Sequence, residues 1–379
     1  MTEVIGYQTI LSLALPTGVD GTKLAQWQLK DGKTFPEVAQ LIATSLTGLN
    51  QEFTNKWGWL YFLTEEIMME YPDGGSVTKM PIVTDTDDID PIRGTTIAHQ
   101  IDLLVKGDAF GGSKRFFRDM RSAQLVANIK RITDSAKWRF EYDLLYRWFD
   151  STETLIGTTG YNVPFVRGTG GAVDFAPPAY DGEAFTTSHT HYLGIDTGTY
   201  GFGDMLNQQA EHLQEHGHDP DDNGYTAMVS RADVASYYAL PDFVRPISGR
   251  VDLIDRATTT ADTGAAMFSR TPRKPGLIGW FESQYGTVEV LATNRIPTGY
   301  SGMVKSYGQL SEQNPMAIRV HPQVGFGVYV VPETTNDNQW PLKKVNVEFE
   351  YGVGVGRDRT NGTAAYLVAG GVWADPVIS

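Results

Sequence analysis

The 379-residue chain contains no cysteine. That absence excludes disulfides, thiolate nucleophiles and sulfur-based metal sites, so any stapling must come from packing, metals or other covalent chemistry. Positive charge is in short supply as well: 31 Lys and Arg stand against 45 Asp and Glu, giving a formal net charge of −14. A protein that grips nucleic acid through its phosphates would want a basic face, which this balance argues against. Long apolar runs are missing. No stretch approaches the roughly 20 residues that span a bilayer, and Met1 to Ala14 lacks the basic start and cleavage site of a signal peptide. The expectation is a soluble protein of intracellular origin with no membrane partner.

What is present is 41% hydrophobic residues, enough for a substantial core, in a length that suggests two domains or one with elaborations. One uninterrupted helical pattern stands out, Ser113 to Phe149, with no proline or glycine until Gly157. Ser113 is placed to cap its first free N–H groups. The apolar positions Leu125, Ile129, Ile132, Ala136, Phe140, Leu144 and Trp148 step by three or four, and Lys130–Asp134 and Lys137–Glu141 have the spacing of charge pairs on the wet face. At 1.5 Å per residue the run would reach roughly 50 Å, a strut lying across a sheet.

Before it, residues 1 to about 33 read as an extended arm. Thr34-Phe-Pro-Glu37 has capping-box spacing and opens a helix through Phe53. Trp57 to Tyr71 reads as buried. Ser76 to Thr84 and Thr95 to Val105 read as the strands of a long hairpin whose tip carries Asp85, Asp87, Asp88 and Asp90. Two strands alone are marginal in water, so this limb should lie on a neighbouring subunit. After the strut a helix is expected from about Gly203 to His216, then a strand at Tyr225 to Val229 and a short helix from Arg231 to Leu240. Strands follow at Thr287 to Thr293, Ala317 to Val320, Val324 to Val331, Lys343 to Val355 and Ala364 to Val368. The class is α+β with a mainly antiparallel sheet.

Several motifs carry possible chemistry. His212-Leu-Gln-Glu215-His216 has the H-x-x-E-H spacing of an inverzincin peptidase, with His218 and Asp219 adjacent, but Gly217 ends the helix and no further peptidase pattern follows. A solvated helix end is the plainer expectation, with no metal. Asp219 to Gly224 matches the first six positions of a calcium loop, but Ser230 stands where the bidentate glutamate belongs. Tyr351 to Gly356 is glycine-rich but follows strand-like sequence, unlike a phosphate loop. Thr187-Ser-His189-Thr-His191 reads as a polar loop, and Asn361-Gly-Thr363 as a sequon with no secretory context. Most unusual are Lys114, Arg115, Arg118 and Arg121 at the strut's start, where the helix dipole disfavours cations. Their expected partner is the acidic tip, Asp85 to Asp90, of an adjacent subunit.

The order of arm, hairpin, strut, mixed region and closing strands resembles the Hong Kong 97-type major capsid protein of tailed bacteriophages. The residues that carry the likeness are Asn294-Arg-Ile-Pro-Thr-Gly-Tyr300, Pro315-Met-Ala-Ile-Arg-Val-His-Pro-Gln-Val-Gly-Phe-Gly327, Val347 to Val355, and Asn361-Gly-Thr-Ala-Ala365. The resemblance implies an N-terminal arm at 1–71, an extended loop at 72–112, a peripheral domain with the spine helix at 113–199, an axial domain at 200–339 and closing peripheral strands at 340–379. It implies no turnover, no catalytic residues and no cofactor. The implied partners are the chain itself in hexamers and pentamers, a portal protein, scaffolding and decoration proteins, and enclosed DNA that is not specifically bound. The implied place is the virion capsid, assembled in the host cytoplasm. Lys79 and Lys106 become candidates for intersubunit cross-links. An encapsulin-like compartment shell is the alternative on the same fold, and a zinc metallopeptidase using His212, Glu215 and His216 is the alternative of another class.

Overall fold

The structure, a computed structural model, describes residues 29–33, 35–73, 95–113, 119–156, 160–170, 174–220, 224–245, 274–331 and 342–378. It begins with helix α1 (Phe35–Trp57), strands β1 (Tyr61–Thr64), β2 (Met68–Asp73), β3 (Thr95–Gln100) and β4 (Leu104–Ser113), and helix α2 (Ser122–Phe149). Strands β5 (Thr154–Ile156), β6 (Gly160–Asn162) and β7 (Tyr192–Asp196) lead to helix α3 (Phe202–Gln214) and strand β8 (Tyr225–Ser230). A 3-10 turn at Arg231–Asp233 runs into helix α4 (Val234–Tyr237) and strand β9 (Phe243–Val244). The rest is strand: β10 (Leu277–Ser283), β11 (Gly286–Thr293), β12 (Tyr300–Lys305), β13 (Met316–Arg319), β14 (Val328–Val331), β15 (Leu342–Val355) and β16 (Thr363–Val368).

The described residues form three sheets. One has the order β1-β13-β15-β14 with β4 also on β15; the second runs β7-β16-β12-β8-β11-β10-β9; the third is β2-β3-β6-β5. Parallel pairing occurs between β1 and β13, β8 and β11, and β7 and β16, and the remaining pairs are antiparallel. The α+β class with mainly antiparallel sheets is thus as expected.

Two cores share the seven-stranded sheet. Tyr225, Ala227 and Val229 of β8 point into one, where Met205, Leu206, Ala210 and Leu213 of α3 cover them, while Met228 points into the other. Alternation of side chains across the strand divides them in this way. All six residues of β8 and of β12 are buried, because both faces of the sheet are covered. The larger core centres on Phe140 of α2, whose ring lies 4.8 Å from Phe53 and 5.4 Å from Tyr351, with Phe349 and Phe326 closing around it. Trp148 donates to the Thr363 carbonyl over 3.0 Å and lies against the backbone of β12 at Gly302. A Cβ on Gly302 would meet the indole at 2.6 Å, which is why that strand carries glycine there.

The strut is shorter than its sequence pattern. It starts at Ser122, not Ser113, and its 28 residues give about 42 Å. Ser113 instead ends β4 opposite Leu342, because ten residues of β15 pair with Leu104 to Ser113 and hold the Gly111-Gly112 stretch extended. The cap is also different. The Asp31 carboxylate accepts from the Ser122 amide over 3.0 Å and from the Ser122 hydroxyl. The helix charges reach outward: Lys137 pairs with Glu52 of α1 at 2.5 Å, and Glu141 pairs with Lys56 and, at 3.5 Å, with Arg295. Phe140, Leu144, Leu145, Trp148 and Phe149 are buried, whereas among the residues before Phe140 only Leu125 is.

The expected strand from Thr95 to Val105 is two strands, broken where Ile101 turns into the interior. Ser76 to Thr84 lies outside the described residues. Strand β14 starts at Val328 rather than Val324, after a turn at His321 to Gly325. The buried Arg359, in a segment that reads as a turn, donates to the Pro164 and Phe165 carbonyls and to the Tyr71 hydroxyl. It fixes the base of the β2–β3 hairpin to the body.

Candidate functional surfaces and a candidate metal centre

Of the residues proposed for contact between subunits, Asp85, Asp87, Asp88, Asp90, Lys114, Arg115 and Arg118 lie outside the described residues. Arg121 is exposed at the N-cap of α2, in extended backbone, and its carbonyl accepts from Gln124 and Leu125. Nearby, a groove of ≈ 470 Å³ runs between α1 and the open half of α2, lined by Leu41, Leu49, Val126 and Ile129 with Glu52 and Lys137.

The hairpin region exposes apolar side chains. Val105 is 59%, Met68 55%, Ile67 48% and Ile97 37% exposed, while Met69 and Tyr71, one position over, are buried. Met68 lies on the face of β2 opposite to Met69 and Tyr71, whereas Ile97 is in register with Tyr71 and Val105 belongs to β4. Lys106, in contrast, is engaged within the subunit. Its ammonium lies 3.3 Å from Asp143, donates to the Tyr351 carbonyl and sits 3.5 Å over the Tyr351 ring. Burial lowers its pKa to about 8 against the opposing pull of Asp143. A side chain held in this way is not presented for cross-linking, and Lys79 is outside the described residues.

The other motifs resolve into structure. Gly352 and Gly354 lie in β15, where an added Cβ would meet the Asp102 carbonyl at 1.9 Å and Ile101 at 2.6 Å, so these glycines admit a close crossing instead of a phosphate. Asn361 is wholly buried, accepting from the Lys305 amide and donating to its carbonyl, which leaves no room for a glycan. In the calcium-like loop, residues 221–223 are outside the described residues and Ser230 caps the following turn through the Ala232 amide. His218 is buried against the Tyr307 and Thr360 hydroxyls at 3.0 and 2.9 Å.

The end of α3 is not the solvated terminus that its sequence suggests. His212 and His216, one turn apart, face His189 and His191 on the segment that enters β7. Ring centroids of His189 lie 5.2 Å from His191, 5.5 Å from His212 and 5.0 Å from His216. His191 lies 5.8 Å from His212 and 4.8 Å from His216. Gly217, at φ +83°, ends the helix immediately beyond and turns the chain away.

The hydrogen bonds orient these rings. Nδ1 of His191 donates to the Gly362 carbonyl and Nδ1 of His212 to the Gln208 carbonyl, both over 2.9 Å. Nε2 of His189 and Nε2 of His216 face one another at 3.0 Å. Nε2 of His191 and Nδ1 of His216 are buried without a hydrogen-bond partner. Burial pushes the pKa of His189 down to about 4 and of His216 to about 3, and that of fully buried His191 well below the usual range; the neighbouring imidazoles add to each shift. Burial raises the Glu215 carboxyl. Two groups bring single donor atoms within 4.8 Å of one another: His189 with His191 and His216, and His189 with His212 and Glu215.

The sequence shows both halves of this cluster, but their meeting depends on the path of the chain between them. The signal that could have found it is density: five of the seven histidines fall between 189 and 218.

No family model matches the chain, and no curated protein matches it. Among solved structures, it is similar to one from Mycobacterium phage Patience, with a TM-score of 0.62 and 19% identity over 96% of this chain and 97% of that one. Weaker likenesses are to the capsid of a native GTA particle, with a TM-score of 0.44 at 13% identity over 83% and 91% of the two chains, and to the mature capsid of bacteriophage PhiM1, at 0.41 and 10% over 81% and 85%. The architecture is the α+β, Hong Kong 97-type fold that the sequence resembles.

Proposed function

We propose that this chain is the major capsid protein of a tailed phage, closing an icosahedral head around double-stranded DNA. The observation that carries this reading is the end-to-end likeness of fold to a phage structure, 96% of one chain on 97% of the other. Exposed apolar side chains support it: Ile67, Met68, Ile97 and Val105 have little cover among the described residues, and neighbouring copies would supply it. Each contact is modest, at about 25 cal/mol per Å² of apolar area removed from water, but closure of a shell makes many of them simultaneous. The role is structural, and stability belongs in large part to the lattice.

In this reading the arm at 1–71, extended loop at 72–112, peripheral regions at 113–199 and 340–379, and axial region at 200–339 divide the labour of the lattice. Hexamers and pentamers form from the same chain, a portal protein occupies one vertex, and scaffolding and decoration proteins are further partners. A hexameric capsomer would carry six times the chain's charge of −14. Such a wall repels confined DNA instead of adsorbing it. Assembly would take place in the host cytoplasm.

The acidic tip, Asp85, Asp87, Asp88 and Asp90, is proposed to meet Lys114, Arg115, Arg118 and Arg121 of an adjacent subunit. Reversing the charges on one side should impair particle yield, and reversing both should partly restore it; two independent defects would remove the pairing. The function itself is tested by electron microscopy of the recombinant protein and of the protein from its native source. Closed particles tens of nanometres across are expected. A stable native monomer with no tendency to assemble would overturn the proposal.

A further inference from the structure

We propose that His189, His191 and His216, whose donor atoms lie within 4.8 Å of one another, hold one divalent transition-metal ion, zinc by donor chemistry, with His212 closing a four-imidazole site by a shift of its side chain, so that the ion ties the segment before β7 to the end of α3. The tautomers are fixed by the backbone. A carbonyl oxygen can only accept, so Nδ1 of His191 and Nδ1 of His212 carry protons toward Gly362 and Gln208. In neutral rings both Nε2 atoms then hold lone pairs, the arrangement by which metal-bound imidazoles are oriented.

The geometry of the remaining pair fits the same ion. Nε2 of His189 and Nε2 of His216 are 3.0 Å apart, and a tetrahedral ion with bonds of 2.0–2.1 Å separates its donors by about 3.3 Å. The five ring separations given above, from 4.8 to 5.8 Å, bracket the about 5 Å that four imidazoles adopt around such an ion. Without a metal, His189 and His216 can satisfy each other through one shared proton, but Nε2 of His191 remains wholly buried with nothing to bond. A metal at the centre gives Nε2 of His191 a partner and replaces the shared proton of His189 and His216, while Nδ1 of His216 stays buried and unbonded.

The donor set selects the ion and its role. Imidazole nitrogens suit zinc and its neighbours, whereas calcium and magnesium favour oxygen. Four imidazoles fill a tetrahedron, and structural zinc sites are closed whereas catalytic ones keep a position open. Phe185 covers the cluster, its ring 4.1 Å from His216 and 4.8 Å from His189. Glu215 shares its own grouping with His189 and His212 and places a carboxylate oxygen at the rim, outside the four nitrogens. The H-x-x-E-H spacing therefore contributes a structural clamp in a chain without cysteine, not the water-activating centre of a peptidase. The inference does not depend on the capsid reading, since metal content and particle formation are separate measurements.

The test uses the untagged full-length protein, purified without chelators. Elemental analysis should find one zinc per chain after dialysis, and the chelator-stripped protein should take up one equivalent of added Zn²⁺ with a rise in melting temperature. Co²⁺ in its place should show the visible absorption of a tetrahedral nitrogen site. His189→Gln and His212→Gln, at half-buried positions, should each weaken Zn²⁺ affinity at least tenfold, while His321→Gln, outside the cluster, should not. His191→Gln should abolish stoichiometric binding; if that variant fails to fold, the wild-type stoichiometry and the two milder variants still decide. Absence of zinc from the purified protein together with no saturable uptake of Zn²⁺ or Co²⁺ would overturn the proposal, as would full affinity in the His189→Gln and His212→Gln variants.

Discussion

The seven-stranded sheet and the hairpin sheet solve the same problem in opposite ways. In the first, α3 covers one face and the large aromatic core the other, so β8 and β12 have no exposed residue. In the second, Met69 and Tyr71 turn inward while Met68 beside them is 55% exposed. Among the described residues, one sheet is covered on both faces, and the other leaves apolar side chains exposed. Substitutions in the two should therefore separate stability of the subunit from stability of the assembly.

The sharpest break would come in the self-sufficient region. Phe140→Ala removes the ring at the centre of the larger core, and should cost the subunit about 3–5 kcal/mol, measured by denaturant unfolding. In the hairpin sheet Met68→Asp, and on the adjoining β4 Val105→Asp, should leave subunit stability within about 0.5 kcal/mol of wild type yet abolish or sharply reduce particle yield in sedimentation. Equal unfolding effects in both regions would erase the distinction.

A pH titration probes the junction between them. His99, on β3 and buried, has its pKa lowered to about 3 by burial, with Arg359 and Arg147 adding to the shift. Because the unfolded chain titrates near 6.5, it binds the proton more readily than the folded chain does. This contribution to stability is full above about pH 6.5 and is lost as pH falls toward 3. His99→Phe should flatten part of that decline in acid unfolding curves. The smallest effect belongs to Asp31→Ala, which removes the carboxylate that caps Ser122 and should fray the first turn of α2, visible as faster amide exchange there.

The parts of the fold most legible in the sequence were those whose local pattern agrees with their surroundings. Helices α1 and α3 have helical periodicity and recognisable starts, and β11 and β15 read as strands within a residue. The start of α2 was misread because nothing local distinguishes Gly111-Gly112-Ser113 as a helix boundary from the same residues held straight by β15. Strand β12 is not legible because Gly302 answers to Trp148, and Ser301, whose carbonyl accepts from the Gln209 side chain, to α3, rather than to strand propensity. The charge spacing on α2 was real, but Lys137 and Glu141 found partners on other elements. In the histidine cluster, each half was visible and each looked ordinary. Only the chain path from His191 through β7 into α3 makes them neighbours, and the Gly362 carbonyl that orients His191 comes from a third segment altogether.

The long β4–β15 ladder joins the limb to the body in a particular direction. Its antiparallel register runs from Leu104 opposite Tyr351 to Ser113 opposite Leu342, with the strands side by side along their full shared length. Tension applied along those strands loads all the rungs together, whereas a pull across them would open one rung at a time. If the limb clasps a neighbour as proposed, outward pressure from packed contents that draws it lengthwise would meet this joint at its strongest. The seam would then resist bursting by geometry, with no added bonds.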